Sequence, residues 1–308
     1  MMLLSWHWCM TYTALHVMKV VSAVMTSAVK AWLGLLLLVM VLSGCSAAAR
    51  QPDAPQAVTP ENRAEEALNL AHVLRDNGRL QAAYEVYARM DQRGELAGQY
   101  LLEFATLASR VRPPQDALQL YARAAKVLPE PRADKVQLAL CLGQGQAHLA
   151  LGQVNAAAHD MRCALKVSPD NVQALNGRGV VYNLQGQNPQ AQADFSRALQ
   201  LDPGFTPALN NLALAHLVAG DIKQAINVLQ PASQHGGVAL RLNLALAYVL
   251  NQQPEQARQL LAERLKADYV SRIMDRFEVT ASRIAGGASV AHELLLASQQ
   301  PLPLKDQP

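Results

Sequence analysis

The sequence repeats itself at a fixed interval of about 34 residues, and this feature limits the possible folds more than any other. The segment "CLGQGQAHLALGQVNAAAHDMRCALKVSPDN", from Cys141, aligns with "LNGRGVVYNLQGQNPQAQADFSRALQLDPGF", from Leu175. Two glycines, two alanines and one proline recur in register. A period in this range indicates an array of like units that bury their apolar faces against one another.

The recurring positions resemble the tetratricopeptide repeat, a hairpin of two helices called A and B. Gly145 in helix A and Ala157 in helix B are expected to face each other, because small side chains permit close helix crossing. Gly152 falls at the turn between the helices, where a backbone with positive φ favours glycine. Pro169 closes the unit, since proline cannot continue a helix interior.

One alanine in each helix B marks the successive repeats: Ala83, Ala117, Ala157, Ala191, Ala225 and Ala257. The spacing between Ala117 and Ala157 is longer than the others, because it contains an insertion around "PEPRADKV", Pro129 to Val136. The sequence therefore predicts an all-α fold, a tetratricopeptide repeat solenoid of about six helix-turn-helix units over residues 63–266. Residues 267–308 are expected to form a capping helix and a loosely ordered tail.

The start of the chain has a different character from the repeats. Residues 1–45 contain no acidic side chain, and their only basic ones are Lys19 and Lys30. Twelve apolar residues follow Lys30, too few to span a bilayer, which needs about 20. A basic residue followed by a short apolar run is typical of a signal peptide.

The next four residues, Leu42-Ser43-Gly44-Cys45, resemble the lipobox of bacterial lipoproteins. The resemblance implies that residues 1–44 are a lipoprotein signal peptide, with Met18 or Met25 as alternative true starts. Cys45 would carry lipid, and residues 45–62 would comprise the acylated cysteine and a flexible, proline-containing tether. The residue after the cysteine is Ser46 rather than aspartate, which implies sorting to the outer membrane of a Gram-negative bacterium, facing the periplasm.

Charge and motif content narrow the function classes. The chain has 27 basic and 24 acidic residues, and without the two lysines of the leader its net charge is +1. No basic patch or stripe is visible, so we do not expect nucleic-acid binding. We find no signature of an enzyme, a metal site, a cofactor or a small-molecule substrate site. We therefore expect a non-enzymatic protein that binds other proteins.

Four asparagines suggest where a partner would bind. They fall at neighbouring positions in helix A of three successive repeats: Asn176, Asn210, Asn211 and Asn243. The family resemblance implies that these positions face or border the concave groove, and asparagine can both donate to and accept from a peptide backbone. The alternative is that they are ordinary polar side chains on a helix surface. The same mapping gives the groove an apolar floor that includes Leu142, Val180, Leu214 and Leu246.

Two cysteines of the repeat region leave two interpretations open. Cys141 lies early in helix A of the third repeat and Cys163 lies late in its helix B, so they sit at similar heights in an antiparallel hairpin. Export to the periplasm makes a disulfide chemically accessible. The alternative is a pair of buried free thiols, because cysteine also behaves as a small apolar residue.

A lipobox followed by these repeats resembles the TadD-like lipoproteins of Tad (Flp) pilus assembly. The insertion after the second repeat and "RLNLALAYVLNQQPEQARQLL", from Arg241, support the resemblance. It implies protein partners among the pilus components, above all the secretin, whose assembly at the outer membrane the protein would assist. Two alternatives are a pilotin-like lipoprotein of type IV pili and a periplasmic adaptor of peptidoglycan enzymes.

Overall fold

The computed structural model describes residues 60–96, 98–233 and 237–299. The described residues form a succession of α-helices connected by short turns. The helices are α1 (Pro60–Asp76), α2 (Leu80–Gln92), α3 (Gly98–Val111), α4 (Pro114–Val127), α5 (Asp134–Ala150), α6 (Val154–Val167), α7 (Val172–Leu184), α8 (Asn188–Leu201), α9 (Thr206–Val218), α10 (Ile222–Leu229), α11 (Val238–Leu250), α12 (Pro254–Ala262), α13 (Ala267–Ala285) and α14 (Val290–Gln299). Among these helices, none is long and apolar enough to cross a membrane.

Helices α1 to α12 pair into six successive hairpins, which confirms the predicted all-α solenoid. The odd-numbered helices are the A helices and the even-numbered ones are the B helices. The insertion before the third repeat is divided between a linker, residues 128–133, and the start of α5. Helix α5 has 17 residues, whereas α7 and α9 have 13, so about one extra helical turn absorbs part of the inserted chain.

The turn residues behave as the repeat pattern predicts. Gly152 and Gly186 have φ of 69° and 74°, and each lies between the A and B helices of one hairpin. After each of these glycines, the next amide nitrogen donates to a carbonyl five residues earlier, which closes the preceding helix. Asn171 caps α7 by accepting from the Ala174 amide nitrogen at 2.9 Å. These contacts are local, which explains why the sequence predicts them well.

A large side chain stands four residues after the marker alanine of every B helix. These side chains are at most 2% exposed: Tyr87, Tyr121, Met161, Phe195, Leu229 and Leu261. A Cβ added to Gly145 would lie 2.7 Å from the terminal methyl of Met161, and one added to Gly179 would lie 2.5 Å from a ring carbon of Phe195. The sequence pattern suggested that Gly145 faces Ala157. In the structure Gly145 instead makes room for the Met161 side chain.

The C-terminal segment differs from the expectation of a loosely ordered tail. Helix α13 occupies the place of the predicted capping helix, and a further helix, α14, follows it. The Val290 and Leu294 side chains pack on the apolar cluster of the fifth and sixth repeats, a long-range contact that local sequence does not reveal. The predicted signal peptide, Cys45 and the predicted tether up to residue 59 lie outside the described residues, whereas residues 60–62, which were assigned to the tether, begin helix α1.

Candidate functional site

The A helices form one side of the solenoid, which we call the inner face. Each A helix from α3 onward contacts the next A helix, and this series ends with α13. Among the described residues no such contact joins two successive B helices. The A helices therefore lie closer together than the B helices, and the array curves with the A helices on its concave side.

The structure places the four predicted asparagines on adjacent A helices, where they bond to one another. The Asn211 Nδ2 atom donates to Asn176 Oδ1 at 2.9 Å, which links α9 to α7. The Asn243 Nδ2 atom donates to Asn210 Oδ1 at 2.5 Å, which links α11 to α9. We call these two bonds the asparagine ladder.

The asparagine ladder has a structural role that the sequence did not reveal. It cross-links three successive repeats through half-buried side chains. Each pair uses one N–H of one amide and one lone pair of the other, so further donors and acceptors remain on both side chains. The asparagines can therefore hold the helices together and still bond to a partner, and neither role excludes the other.

The predicted apolar floor divides into two parts. Leu142 and Val180, on α5 and α7, are half-buried, as is Leu214 on α9. Leu246, on α11, is only 4% exposed, and Leu217, on α9, is 1% exposed. The predicted floor is thus partly accessible at Leu142, Val180 and Leu214, in the third to fifth repeats, and buried at Leu246 in the sixth.

The two cysteines of the third repeat come together as the hairpin geometry suggested. Cys141 on α5 and Cys163 on α6 form a disulfide, with their Cα atoms 5.8 Å apart. Both sulfur atoms also lie near the side-chain nitrogen of Gln137, at 3.1 and 3.3 Å. Of the residues that the structure describes, no group of three histidine, cysteine, aspartate or glutamate side chains is arranged to hold a metal ion.

Two buried carboxylates on the B helices, Asp160 and Asp194, were not predicted from the sequence. Asp194 accepts two hydrogen bonds from the Arg178 guanidinium, both at 2.7 Å, and these bonds together with its charge raise the pKa of Arg178 above its ordinary value, against the opposing effect of burial. Asp160 lies 2.6 Å from the Nδ1 atom of His148. The signal was present, because Asp160 and Asp194 occupy equivalent positions in successive repeats. Each pair joins helix A to helix B inside one hairpin.

Comparisons with known proteins agree with this architecture. Two family models, both described as tetratricopeptide repeat, match residues 142–204 and 182–238. No curated protein matches the sequence.

Several solved structures share the fold at low sequence identity. A tetratricopeptide repeat protein from Parabacteroides merdae aligns with a TM-score of 0.55 and 17% identity, over 79% of this chain and 94% of that one. The APC/C hetero-tetramer Cut9–Hcn1 aligns with a TM-score of 0.59 and 18% identity, over 70% of this chain and 42% of that one. Pseudomonas aeruginosa pilF aligns with a TM-score of 0.51 and 13% identity, over 66% of this chain and 92% of that one.

These likenesses concern the fold, and the family matches cover the middle of the chain. Tetratricopeptide repeats typically serve as non-enzymatic scaffolds for contacts between proteins. The two family matches identify residues 142–238 as tetratricopeptide repeats, and the six hairpins and the shared architecture show that the described part of this chain has the fold of a tetratricopeptide-repeat solenoid.

Proposed function

We propose that this protein is a lipid-anchored, non-catalytic scaffold that holds a component of Tad (Flp) pilus assembly on its inner face at the outer membrane. The secretin is the component that the family resemblance favours. The observation that carries the binding part of the proposal is the inner face of α5, α7 and α9, where the half-buried Val180 and Leu214 each lie one helical turn after an asparagine of the ladder, Asn176 and Asn210. The membrane part rests on the sequence at Leu42 to Cys45.

The chemistry of the inner face suits a protein segment. Leu142, Val180 and Leu214 are half-buried, so each retains apolar surface that a partner could cover. The amide groups of Asn176 and Asn211 supply additional donors and acceptors beside that apolar surface. A peptide needs both kinds of contact, because its apolar side chains supply affinity while its backbone polar groups must be satisfied when water leaves.

The lipobox and tether supply the other half of the proposal. Lipid on Cys45 would fix the protein at the membrane, and two or more acyl chains anchor a protein stably where one does not. The segment up to residue 62 would then let the solenoid reach a partner in the same membrane. A secretin subunit placed in that membrane is a partner within such reach.

Two other functions would use the same inner face. A pilotin-like lipoprotein of type IV pili would need the same anchor and a different secretin. An adaptor of peptidoglycan enzymes would need the anchor and a soluble periplasmic partner. Capture of the partner from membranes, followed by mass spectrometry, separates the three, because each predicts a different class of captured protein.

The inner face is tested by replacing Asn176, Asn210, Asn211 and Asn243 by alanine together. This change removes both members of each bonded pair, so no amide is left without its partner and the fold should persist. We expect capture of the pilus component to fall at least about tenfold, which corresponds to about 1.4 kcal/mol. The matched control replaces Gln190 and Gln200, exposed on α8, by alanine and should leave capture unchanged.

Two results would contradict the proposal. One is a quadruple variant that has the circular dichroism of the native protein and still captures the component fully and supports piliation. The other concerns the anchor: Cys45→Ala should leave a larger precursor that does not reach the outer membrane, and normal processing and sorting of that variant would remove the membrane half of the proposal.

A further inference from the structure

The chain reverses direction after α13. The Gly287 amide nitrogen donates to the Ile284 carbonyl at 3.0 Å, and the Ala288 amide nitrogen donates to the Arg283 carbonyl at 2.9 Å. Gly287 has φ of 98°, a backbone conformation that favours glycine. This pair of bonds is the Schellman motif that ends many helices, and it sends the following residues back toward the repeats.

The reversed segment, helix α14, returns to an A helix two repeats earlier. Its described residues contact both α13 and α9. These helices flank α11 in the row of A helices, so α14 bridges the inner face over the last two repeats. The helix therefore lies against the row of A helices that forms the inner face.

The contacts of α14 are those of an amphipathic ligand. Val290 and Leu294, one helical turn apart, pack on the buried cluster that includes Leu217, Leu240 and Leu244, against which Leu214 and Tyr248 also pack. The apolar side chains of α14 are thus in the place where a partner's side chains would lie.

A carboxylate accompanies the two aliphatic side chains of α14. Glu293 is only 5% exposed, although glutamate is rarely buried without a partner. Its Oε2 atom lies 3.5 Å from the Arg283 Nη1 atom of α13, which supplies the opposite charge. Positions 290, 293 and 294 share one helix face, so the same face carries the aliphatic pair and the acid.

The burial of the groove residues changes along the array. Leu217 and Leu246 are almost fully buried at the end of the array that α14 bridges. Leu142, Val180 and Leu214, on the A helices of the third, fourth and fifth repeats, remain half-buried. The same groove is therefore covered at one end and accessible at the other.

We propose that α14 is an internal occupant of the inner face, and that the partner of the last two repeats is a helix with the same chemistry. That helix would carry two aliphatic residues one turn apart and a carboxylate immediately before the second, and it would displace α14. The proposal deepens the proposed function, on which it rests for the identity of the partner. Its consequence is that the native chain holds the covered part of its groove closed until such a helix competes.

The energetics permit displacement. An isolated helix of about 10 residues is marginally stable in water, so α14 depends on its contacts with the groove. A short tether gives a competing intramolecular ligand an effective concentration of the order of millimolar. A free helix must therefore overcome α14, and releasing α14 should raise the affinity for it.

The test uses the whole chain and a fluorescent peptide with the sequence of residues 288–300, ASVAHELLLASQQ. In the release variant, Val290→Asp and Leu294→Asp place charges in the apolar contact. The matched control, Ala291→Asp and His292→Asp, places the same charges on the exposed face of α14. We expect the release variant to bind the peptide at least tenfold more tightly than the native chain, and the control to bind like the native chain.

A second variant distinguishes the release of α14 from a general loss of folding. Gly287→Val changes no side chain of the groove or of α14, and a Cβ at Gly287 meets no atom within 4 Å. Valine disfavours only the positive φ at residue 287, which turns the chain back toward the repeats. This variant should therefore also release α14 and increase peptide binding. If both variants keep their helical circular dichroism and bind the peptide no better than the native chain, α14 is not an occupant of the groove.

Partner capture then separates the two proposals. A release variant that binds the peptide and captures more pilus component than the native chain supports both. A release variant that binds the peptide but captures no pilus component supports internal occupancy and contradicts the proposed function. Capture equal to the native chain without peptide binding contradicts internal occupancy and leaves the proposed function standing.

Discussion

The middle repeats and the last two repeats build the same hairpin from different residues. In the fourth repeat the ring of Phe195 packs against Gly179, whereas one repeat later the equivalent pair is Ala213 and Leu229. A smaller B-helix side chain thus accompanies a larger A-helix one, which keeps the total core volume similar. The B helices also differ in length, since α6 and α8 have 14 residues each, whereas α10 has eight and α12 has nine.

The two regions also differ in polar contacts. The third repeat has the Cys141–Cys163 disulfide, and the fourth has the ion pair of the half-buried Arg178 with the buried Asp194. In the fifth repeat Leu212 and Val228 occupy the positions of that pair and join an apolar cluster. The comparison shows that the repeat specifies where helices cross, while covalent, ionic or apolar contacts can each secure the crossing.

The disulfide should produce the largest difference between the two regions. Closing a loop with a separation of 22 residues stabilises a fold by about 3 kcal/mol in the chain-entropy account. Reduction should lower the free energy of unfolding by about that amount. It should also increase the rate of amide hydrogen exchange more in α5 and α6 than in α11 and α12. The Cys141→Ser and Cys163→Ser double variant should not respond to reductant. Two thiols that react after unfolding of unreduced protein would contradict the pairing.

Exchanging the core pair of one region for that of the other should have the next largest effect. Gly179→Ala would force its new Cβ against Phe195, and we expect a loss of about 2 to 3 kcal/mol in unfolding free energy. Adding Phe195→Leu recreates the combination of the fifth repeat and should recover a large part of the loss. Urea unfolding measures both variants, with Gly204→Ala at an exposed turn as the control. Additive losses would contradict the volume exchange.

The ion pair of the fourth repeat should be replaceable as a unit. Asp194→Ala leaves the Arg178 guanidinium without its carboxylate, and we expect a loss of about 2 kcal/mol, because the arginine is partly exposed. The double change Arg178→Leu and Asp194→Val copies the apolar pair of the fifth repeat and should lie within about 1 kcal/mol of the native protein. If the double variant is less stable than Asp194→Ala alone, the two solutions are not interchangeable.

The smallest effect concerns the turns. Gln252 has φ of 60° between α11 and α12, where the fourth repeat has Gly186 with φ of 74°. Gln252→Gly should raise the free energy of unfolding by about 0.5 to 1 kcal/mol, because glycine adopts this conformation without a steric penalty. Gly186→Gln should lower it by a similar amount. Thermal unfolding measures both, and changes of the same sign would contradict this explanation of the turns.

The sequence predicted the hairpins, their turns and the insertion from local features. A glycine with positive φ, a proline that ends a helix and an asparagine cap act within a few residues of their own position. The sequence also assigned the four asparagines and the apolar residues beside them to the A helices, where the structure has them, because a regular repeat places equivalent residues at equivalent helix positions. It missed the ion pair of Arg178 and Asp194, although the repeat offset marks both aspartates of the middle repeats.

The amino-acid sequence by itself thus determined the repeat period, the turns and the helix that carries each of the four asparagines. Only the tertiary structure decided that the asparagines bond to each other and that α14 returns to cover the last two repeats. The reason is the range of the interactions. A turn depends on the backbone of a few neighbouring residues, whereas Asn243 meets Asn210 across 33 residues only after the packed core has set the spacing between their helices.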